Sequence, residues 1–350
     1  MALLFIPLGI MFMLFSEQVS LRSLKSPWFD SMQVQEYSFD YTDCLKYAPS
    51  NDFGQAPSSL GNVEFEWRRF TKPPEDMAED LADSKPETLC ELRFKVTKVI
   101  NGPVFQYYRL HNYYQNQRLY VRSVDWAQLR GDKLSHTELS DCAPLVAPND
   151  VGVPVYYPCG LIANSMFNDT IGPMVPATTG DAKVYPFPAK DITWSSDGKK
   201  YGPTKYSLKE ILPPPFWQAN RRLVNEDGTY KAIPNLHKDE RFQNWMKVAG
   251  LPTFRKVYGR HPGDIPAGTY TVLISSTYEV SSYGAEKALV ISNTSWVGGK
   301  NPFLGFAYMI AGGVFLILAL AFLARHLMAP RRLGDVSYLS WNQNRLRRRS

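Results

Sequence analysis

Residues 303–323 read FLGFAYMIAGGVFLILALAFL, 21 residues without a charged side chain, and this stretch decides the class of the protein. At about 1.5 Å per residue, a helix of that length covers roughly 30 Å, the thickness of a bilayer's hydrocarbon core. The core helix of a soluble domain rarely runs so far without a polar face, because one of its sides has to meet water. Asn301-Pro302 in front suits a helix start: Asn can cap the first turn, and Pro at the first helical position forfeits no hydrogen bond. Arg325 and His326 follow the stretch, then Pro330, Arg331 and Arg332. Basic residues beside a span mark its cytosolic side. Residues 301–324 are therefore expected to form a transmembrane helix, residues 325–350 a basic cytosolic tail, and the preceding body, 17–300, a luminal or extracellular domain.

A second apolar segment opens the chain: Ala2 to Phe15, ALLFIPLGIMFMLF, 14 residues. That is short for a span and close to the length of a signal-peptide core. Only the α-amino group is positive in front of it, and Ser16-Glu17-Gln18-Val19 follows. The residues leave three readings: a short first span, a cleaved signal, or a span whose beginning is missing.

The composition limits what joins these segments. The chain has 350 residues, is 44% hydrophobic and 13% aromatic, and has a mean hydropathy of −0.28. A chain that polar is not a bundle of many spans. With 26 Pro and 23 Gly, a turn-rich, mainly β body is favoured over a helical one. The net charge of +6 sits wholly in residues 301–350, which carry seven arginines and one acid, Asp335. A neutral body with a basic tip argues against a nucleic-acid face on the body.

Four cysteines, Cys44, Cys90, Cys142 and Cys159, lie in the body and none in the tail. An even count in a non-cytosolic segment points to disulfides. Of the three possible connectivities, Cys44–Cys90 and Cys142–Cys159 are expected, because both close local loops. Two Asn-x-Ser/Thr sequons, Asn168-Asp169-Thr170 and Asn293-Thr294-Ser295, are candidate glycan acceptors at Asn168 and Asn293. Leu92, Phe94 and Val96 alternate with Arg93, Lys95 and Thr97 as in a half-buried strand. Gly268–Ile274 and Ala288–Ile291 read as further strands. Residues 105–130, with Tyr107, Tyr108, Tyr113, Tyr114 and Tyr120, read as a strand running into a helix that ends near Gly131. Such an aromatic stripe is more often core than a ligand platform. Lys72–Glu91 reads as an exposed acidic loop.

The chain contains no Walker-type phosphate loop, no G-x-G-x-x-G, no G-x-S-x-G and no H-E-x-x-H, the arrangements that carry phosphate, dinucleotide, acyl-transfer and zinc chemistry. Its five histidines are isolated, and no Asp-Lys-Thr-Gly motif is present to form the aspartyl-phosphate of an ion pump. No cofactor, metal or catalytic residue is expected.

Several longer stretches carry a resemblance. SWVGGKNPFLG at 295–305 with Ala307-Tyr308, RLGDVSYLSWN at 332–342, PCGLIANSMFNDT at 158–170, YYQN at 113–116 with Tyr120-Val121, and IPAGTY at 265–270 are similar to segments of the cell-division-cycle-50 family. These proteins, called ALA-interacting subunits in plants, are β subunits of phospholipid flippases. The resemblance implies two transmembrane helices, both termini in the cytosol, and a large, mainly antiparallel-β (α+β), disulfide-bonded luminal domain with helical and loop insertions. It implies that the 158–170 motif supplies a disulfide cysteine and a glycosylated asparagine, and that residues 1–16 are the latter part of a first span. The partner implied is a type-IV P-type ATPase, which performs the chemistry and moves phospholipid to the cytosolic leaflet. The subunit accompanies it from the endoplasmic reticulum to the Golgi, endosome or plasma membrane. Ala307 and Ala311, one turn apart on the second span, would allow close helix approach. With Trp341 and Asn342 in the tail signature, they are the candidate partner interface. A competing reading from another class is a single-span surface receptor or adhesin with a cleaved signal peptide.

Overall fold

A computed structural model of the chain describes residues 2–16, 34–72, 81–82, 84–148, 154–177, 183–218, 220, 222–294, 303–329 and 334. Two compact units form: residues 35–294 make one, and the two ends of the chain make the other. In chain order the elements are α1 (Ala2–Ser16), β1 (Glu36–Asp40), α2 (Cys44–Tyr47), β2 (Gly54–Gln55), β3 (Phe65–Arg69), β4 (Leu89–Val96), β5 (Val104–His111), α3 (Arg118–Arg122), α4 (Trp126–Leu129), β6 (Val155–Tyr156), α5 (Leu161–Asn164), β7 (Thr170–Pro176), α6 (Ser195–Gly198), β8 (Ile211–Leu212), α7 (Glu240–Trp245), β9 (Phe254–His261), β10 (Gly268–Ser275), β11 (Glu286–Asn293) and α8 (Phe303–Met328), with short 3-10 turns between some of them.

The larger unit is a sandwich of two antiparallel sheets, ordered β1-β11-β5-β9 and β2-β3-β4-β10-β7. Side chains alternate across each strand. On β4, Leu92, Phe94 and Val96 are buried while Arg93 and Lys95 point outward. The inner faces meet through aromatic rings: Phe39 on β1 lies 4.3 Å from Phe94 on β4 and 5.2 Å from Phe65 on β3. Polar links cross the same gap, with Gln106 Nε2 donating to Gly172 O at 3.1 Å and Ile171 N–H to Tyr258 Oη at 3.0 Å. On the outer face, Glu66 pairs with Arg93 and Arg68 with Glu91 across β3 and β4. Both guanidinium groups lie over the Phe53 ring, at 4.3 and 4.0 Å. A short parallel pair, β6 with β8, lies outside the two sheets.

Both disulfides have the expected pairing. Cys44–Cys90 ties α2 to β4, and Cys142–Cys159 ties the 138–142 turn to the approach of α5. The strand expected at Gly268–Ile274 forms β10, and the one at Ala288–Ile291 extends to Glu286–Asn293. The single helix expected before Gly131 breaks into α3 and α4. Gln117 Oε1 caps the first by accepting from Tyr120 N–H at 2.8 Å, and Asp125 Oδ1 caps the second by accepting from Gln128 N–H at 2.7 Å. Two side chains that can begin a helix thus replace one long helix by two. The Lys72–Glu91 loop is also corrected in part. Leu81 is buried, and Leu89 to Glu91 open β4, where Cys90 is fixed by its disulfide.

The domain's first and last residues lie side by side. Gln35 N–H donates to Asn293 Oδ1 at 2.8 Å, next to the β1–β11 pairing. Chain entry and exit therefore share one end of the four-stranded sheet. The turns after His111 and before Phe254 and Glu286 lie at the other end.

In the second unit, α1 and α8 run antiparallel. The Phe5 ring lies 5.6 Å from Phe315 and the Phe12 ring 5.4 Å from Tyr308, both pairs tilted. Glycines make the contact close: a Cβ on Gly305 would stand 2.9 Å from Met13 N, one on Gly9 2.9 Å from Met309 N, and one on Gly312 3.1 Å from Ile6 N. The helix α8 has 26 residues and is long and apolar enough to cross a membrane. It continues past residue 324, so Arg325 and His326 form its last turn rather than the start of a tail. With 15 residues, α1 covers about 22 Å. Asn301 and Pro302 lie outside the described residues.

Candidate functional site

Three places in the described residues gather features that a partner or a modification could use. The first is the surface of α8. At roughly 100° per residue, Gly305, Met309 and Gly312 share the side that meets α1. Ala307 falls roughly opposite Gly305, and Ala311 about 120° around from it. Leu304, Val314 and Leu318, all exposed, complete the same stripe. The small residues singled out in the sequence are thus not the ones that seat α1, and Gly9, Gly305 and Gly312 take that role. Ala307 and Ala311 are the small residues among the larger, exposed apolar side chains of that stripe. Trp341 and Asn342 lie outside the described residues.

The second place is the 158–170 segment. Gly160 has φ +93°, and a Cβ there would meet Ser123 O at 2.1 Å, so only glycine fits. The same serine's hydroxyl donates to Cys142 O and accepts from Leu161 N–H, both at 2.9 Å. The carbonyls of α5 are held by indoles: Trp245 Nε1–H donates to Ile162 O at 2.7 Å and Trp217 Nε1–H to Ala163 O at 2.9 Å. Beyond α5, Asn168 is exposed and Asp169 is buried. The Asp169 carboxylate accepts from Tyr41 Oη–H at 2.8 Å and from Thr277 and Tyr278 N–H at 2.6 Å each. It pairs with Lys287 Nζ at 2.8 Å, where the Asp169 side chain is 0% and the Lys287 side chain 3% exposed. Lys287 Nζ also donates to Tyr278 O at 2.6 Å. Every charge here has a partner, as burial requires. Burial and the neighbouring Asp169 charge push the Tyr41 hydroxyl well above its ordinary value, so it stays a donor. The arrangement is a structural lock: it pins Asn168 at the surface, where Thr277 Oγ–H donates to Asn168 O at 3.1 Å.

The third place is a cleft of about 250 Å³ lined by Asn112, Tyr113, Tyr114, Tyr120 and Tyr283. Asn112 has φ +57° and its Nδ2 donates to Gly284 O at 3.0 Å, joining the two turns that form the walls. The Tyr113 ring lies 6.0 Å from Trp245, 6.1 Å from Phe254 and 5.9 Å from Tyr283. Tyr120 Oη bonds Ser165 Oγ at 2.8 Å, and Tyr278 Oη–H donates to Tyr113 Oη at 3.1 Å. Burial raises the Tyr120 and Tyr283 hydroxyls above their ordinary value, so the lining is uncharged. The expectation of core packing holds for Tyr108, which is buried against Phe167 at 3.9 Å. Tyr114 is instead 59% exposed.

Residues 28–332 match the model of the LEM3 (ligand-effect modulator 3) family / CDC50 family. A Chaetomium thermophilum protein named phospholipid-transporting ATPase accessory subunit CDC50 is 36% identical over 331 residues, covering 89% of this chain and 80% of its own. Putative ALA-interacting subunit 4 of Arabidopsis thaliana is 42% identical, covering 73% of this chain and 71% of its own. Mouse cell cycle control protein 50A is 37% identical, with 72% of each chain covered. The chain belongs to the LEM3/CDC50 family.

Within the span matched to the CDC50 family lie the β-sandwich, both disulfides, the cleft and α8. The two sequons differ in setting. Asn168 is open to solvent, whereas Asn293 is 5% exposed and its side-chain carbonyl accepts from Gln35 N–H. Among the described residues, no group of three His, Cys, Asp or Glu could hold a metal ion. Sequence reading missed the Asp169–Lys287 pair, whose members stand 118 positions apart, because nothing in the chain around either residue marks the other. It also missed the cleft, because its walls come from two distant turns.

Proposed function

We propose that this chain is the non-catalytic β subunit of a phospholipid flippase, paired with a type-IV P-type ATPase that hydrolyses ATP and moves phospholipid to the cytosolic leaflet. Membership of the LEM3/CDC50 family over residues 28–332 carries the reading, together with relatives named accessory subunits of phospholipid-transporting ATPases. The sequence agrees, since it holds neither a phosphate loop nor an aspartyl-phosphate motif. In this reading α1 and α8 both cross the bilayer, both termini are cytosolic, and residues 35–294 form the luminal or extracellular domain. The subunit escorts the ATPase out of the endoplasmic reticulum toward the Golgi, endosome or plasma membrane. The Ala307/Ala311 stripe of α8 and Trp341-Asn342 of the tail meet the ATPase, and the arginine-rich tip faces anionic lipid. Asn168 carries a glycan. Asn293, buried and hydrogen-bonded, is the poorer acceptor.

The deciding experiment is affinity purification of the tagged chain from its own membranes, with ATP hydrolysis and labelled-lipid uptake assayed on the eluate. A type-IV ATPase should co-purify, and the chain stripped of it should show neither activity. Lipid movement by the chain alone, or no ATPase in any eluate, would overturn the proposal. Protease protection of both termini separates it from a single-span receptor, whose N-terminus lies outside.

A further inference from the structure

We propose that the tyrosine cleft is a saccharide-binding site whose occupant is the N-linked glycan that Asn168 of the same chain carries. The inference rests on the luminal placement of the domain argued above.

The chemistry of the lining selects the ligand class. Asn112, Tyr113, Tyr114, Tyr120 and Tyr283 offer flat rings, hydroxyls and an amide, and no charge. A phosphate or a charged lipid headgroup would find no countercharge there. A sugar ring has an apolar face that stacks on an aromatic ring and a rim of hydroxyls that needs donors and acceptors, and the cleft presents both. The site is preformed. Asn112 Nδ2 bonds Gly284 O, and Tyr113 N–H donates to Pro252 O at 3.0 Å. The Tyr113 ring is wedged against Trp245, Phe254 and Tyr278. Little ordering remains to be done when a ligand arrives. Two rings, Tyr114 and Tyr283, are about half exposed, at 59% and 48%, and form the outer walls.

The choice of occupant follows from where Asn168 sits. Thr277 Oγ–H donates to Asn168 O at 3.1 Å and contacts its Oδ1 at 3.3 Å. From Thr277 the chain runs through Tyr278, whose hydroxyl reaches Tyr113, to a 3-10 turn at Ser281–Tyr283 that places Tyr283 in the cleft wall. Six residues separate the contact at Asn168 from that wall, at most about 20 Å of extended chain, and the turn shortens the path. The core of an N-linked glycan reaches that far. The Asp169–Lys287 lock fixes the glycan's root on the rigid domain, so its first sugars stay near the cleft at a high effective concentration.

The test uses the full chain purified in detergent from cells that glycosylate it. Mass spectrometry of the Asn168 peptide establishes occupancy, and peptide-N-glycosidase then digests the native protein. Wild-type glycan should be released about tenfold more slowly than the glycan of a Tyr114→Ala/Tyr283→Ala variant, the factor expected from losing two ring stacks. Hydrogen exchange on wild type alone provides a reading independent of how that variant folds. Amides of 112–120 and 281–285 should lose protection once the glycan is removed. Equal release rates with unchanged exchange overturn the cleft assignment and leave the luminal reading standing. An occupied Asn168 whose release slows only when an ATPase is bound also overturns it, since the cleft then belongs to a protein partner. An unglycosylated Asn168 overturns both.

Discussion

Replacing Lys287 with Met should destabilise the domain more than any surface charge change. The Lys287 side chain is 3% exposed and that of Asp169 0%, with their charged groups 2.8 Å apart. In Lys287→Met, Asp169 retains the Tyr41 hydroxyl and the Thr277 and Tyr278 amides, but its charge is buried without a counterion, and Tyr278 O loses a donor. Breaking a buried pair from one side costs about 3–5 kcal/mol. Asp169→Asn should cost a similar amount by stranding the ammonium, and it keeps the Asn168 sequon. The double variant Asp169→Asn/Lys287→Met carries no buried charge, so it should recover at least about 2 kcal/mol of the summed losses. Urea unfolding of the full chain in detergent at pH 7, followed by tryptophan fluorescence, reads all three. Single losses under about 1 kcal/mol, or strict additivity, would refute the reasoning, because either would mean that water or movement solvates the pair.

Other perturbations test the remaining elements. Removing Cys142–Cys159, a 17-residue loop, should lower stability by about 3 kcal/mol, and removing Cys44–Cys90, which spans 46, by about 4 kcal/mol, measured by the same unfolding curves. Gly160→Ala forces a Cβ to 2.1 Å from Ser123 O at positive φ and should depress the yield of folded protein, while Gly228→Ala, at φ +81° but with nothing within 4 Å, should cost only about 1 kcal/mol. Burial, and the Lys247 ammonium beside it, lower Lys256 to about 7. Between pH 7 and its ordinary value near 10.5 the unfolded chain therefore holds a proton the folded one has released. The penalty of charging the buried lysine is full below pH 7, and stability should gain up to about 1.4 kcal/mol per pH unit above it, a slope absent from Lys256→Met. Ala307→Leu/Ala311→Leu should abolish co-purification of the ATPase without altering the domain's melting, whereas loss of folding would place those residues in the chain's own packing.

Local patterns were legible where neighbours in the chain decide the outcome. The uncharged run at 303–323 is a helix because an unbroken apolar stretch of that length has its backbone satisfied only by its own hydrogen bonds. The alternation at Leu92, Phe94 and Val96 is a strand because period two puts those side chains on one face. Cysteine spacing indicated the disulfides, since short loops close at the least entropic cost.

Tertiary structure decided whatever depends on residues meeting from far along the chain. Nothing local pairs Asp169 with Lys287 or turns Asn293 inward against Gln35. The first contact exists because the residue leading into β7 of one sheet meets β11 of the other, and the second because β1 and β11, from opposite ends of the domain, are neighbours in one sheet. The same holds in the helical unit. From sequence, Ala307 and Ala311 were the obvious small pair, and only the docking of α1 shows that Gly9, Gly305 and Gly312 form its contact, leaving the alanines turned away from it, Ala307 roughly opposite and Ala311 about 120° around. A side chain's chemistry is written in the sequence, but which face it occupies in the end, and against what, is set by packing, where burial and close approach leave one arrangement satisfied.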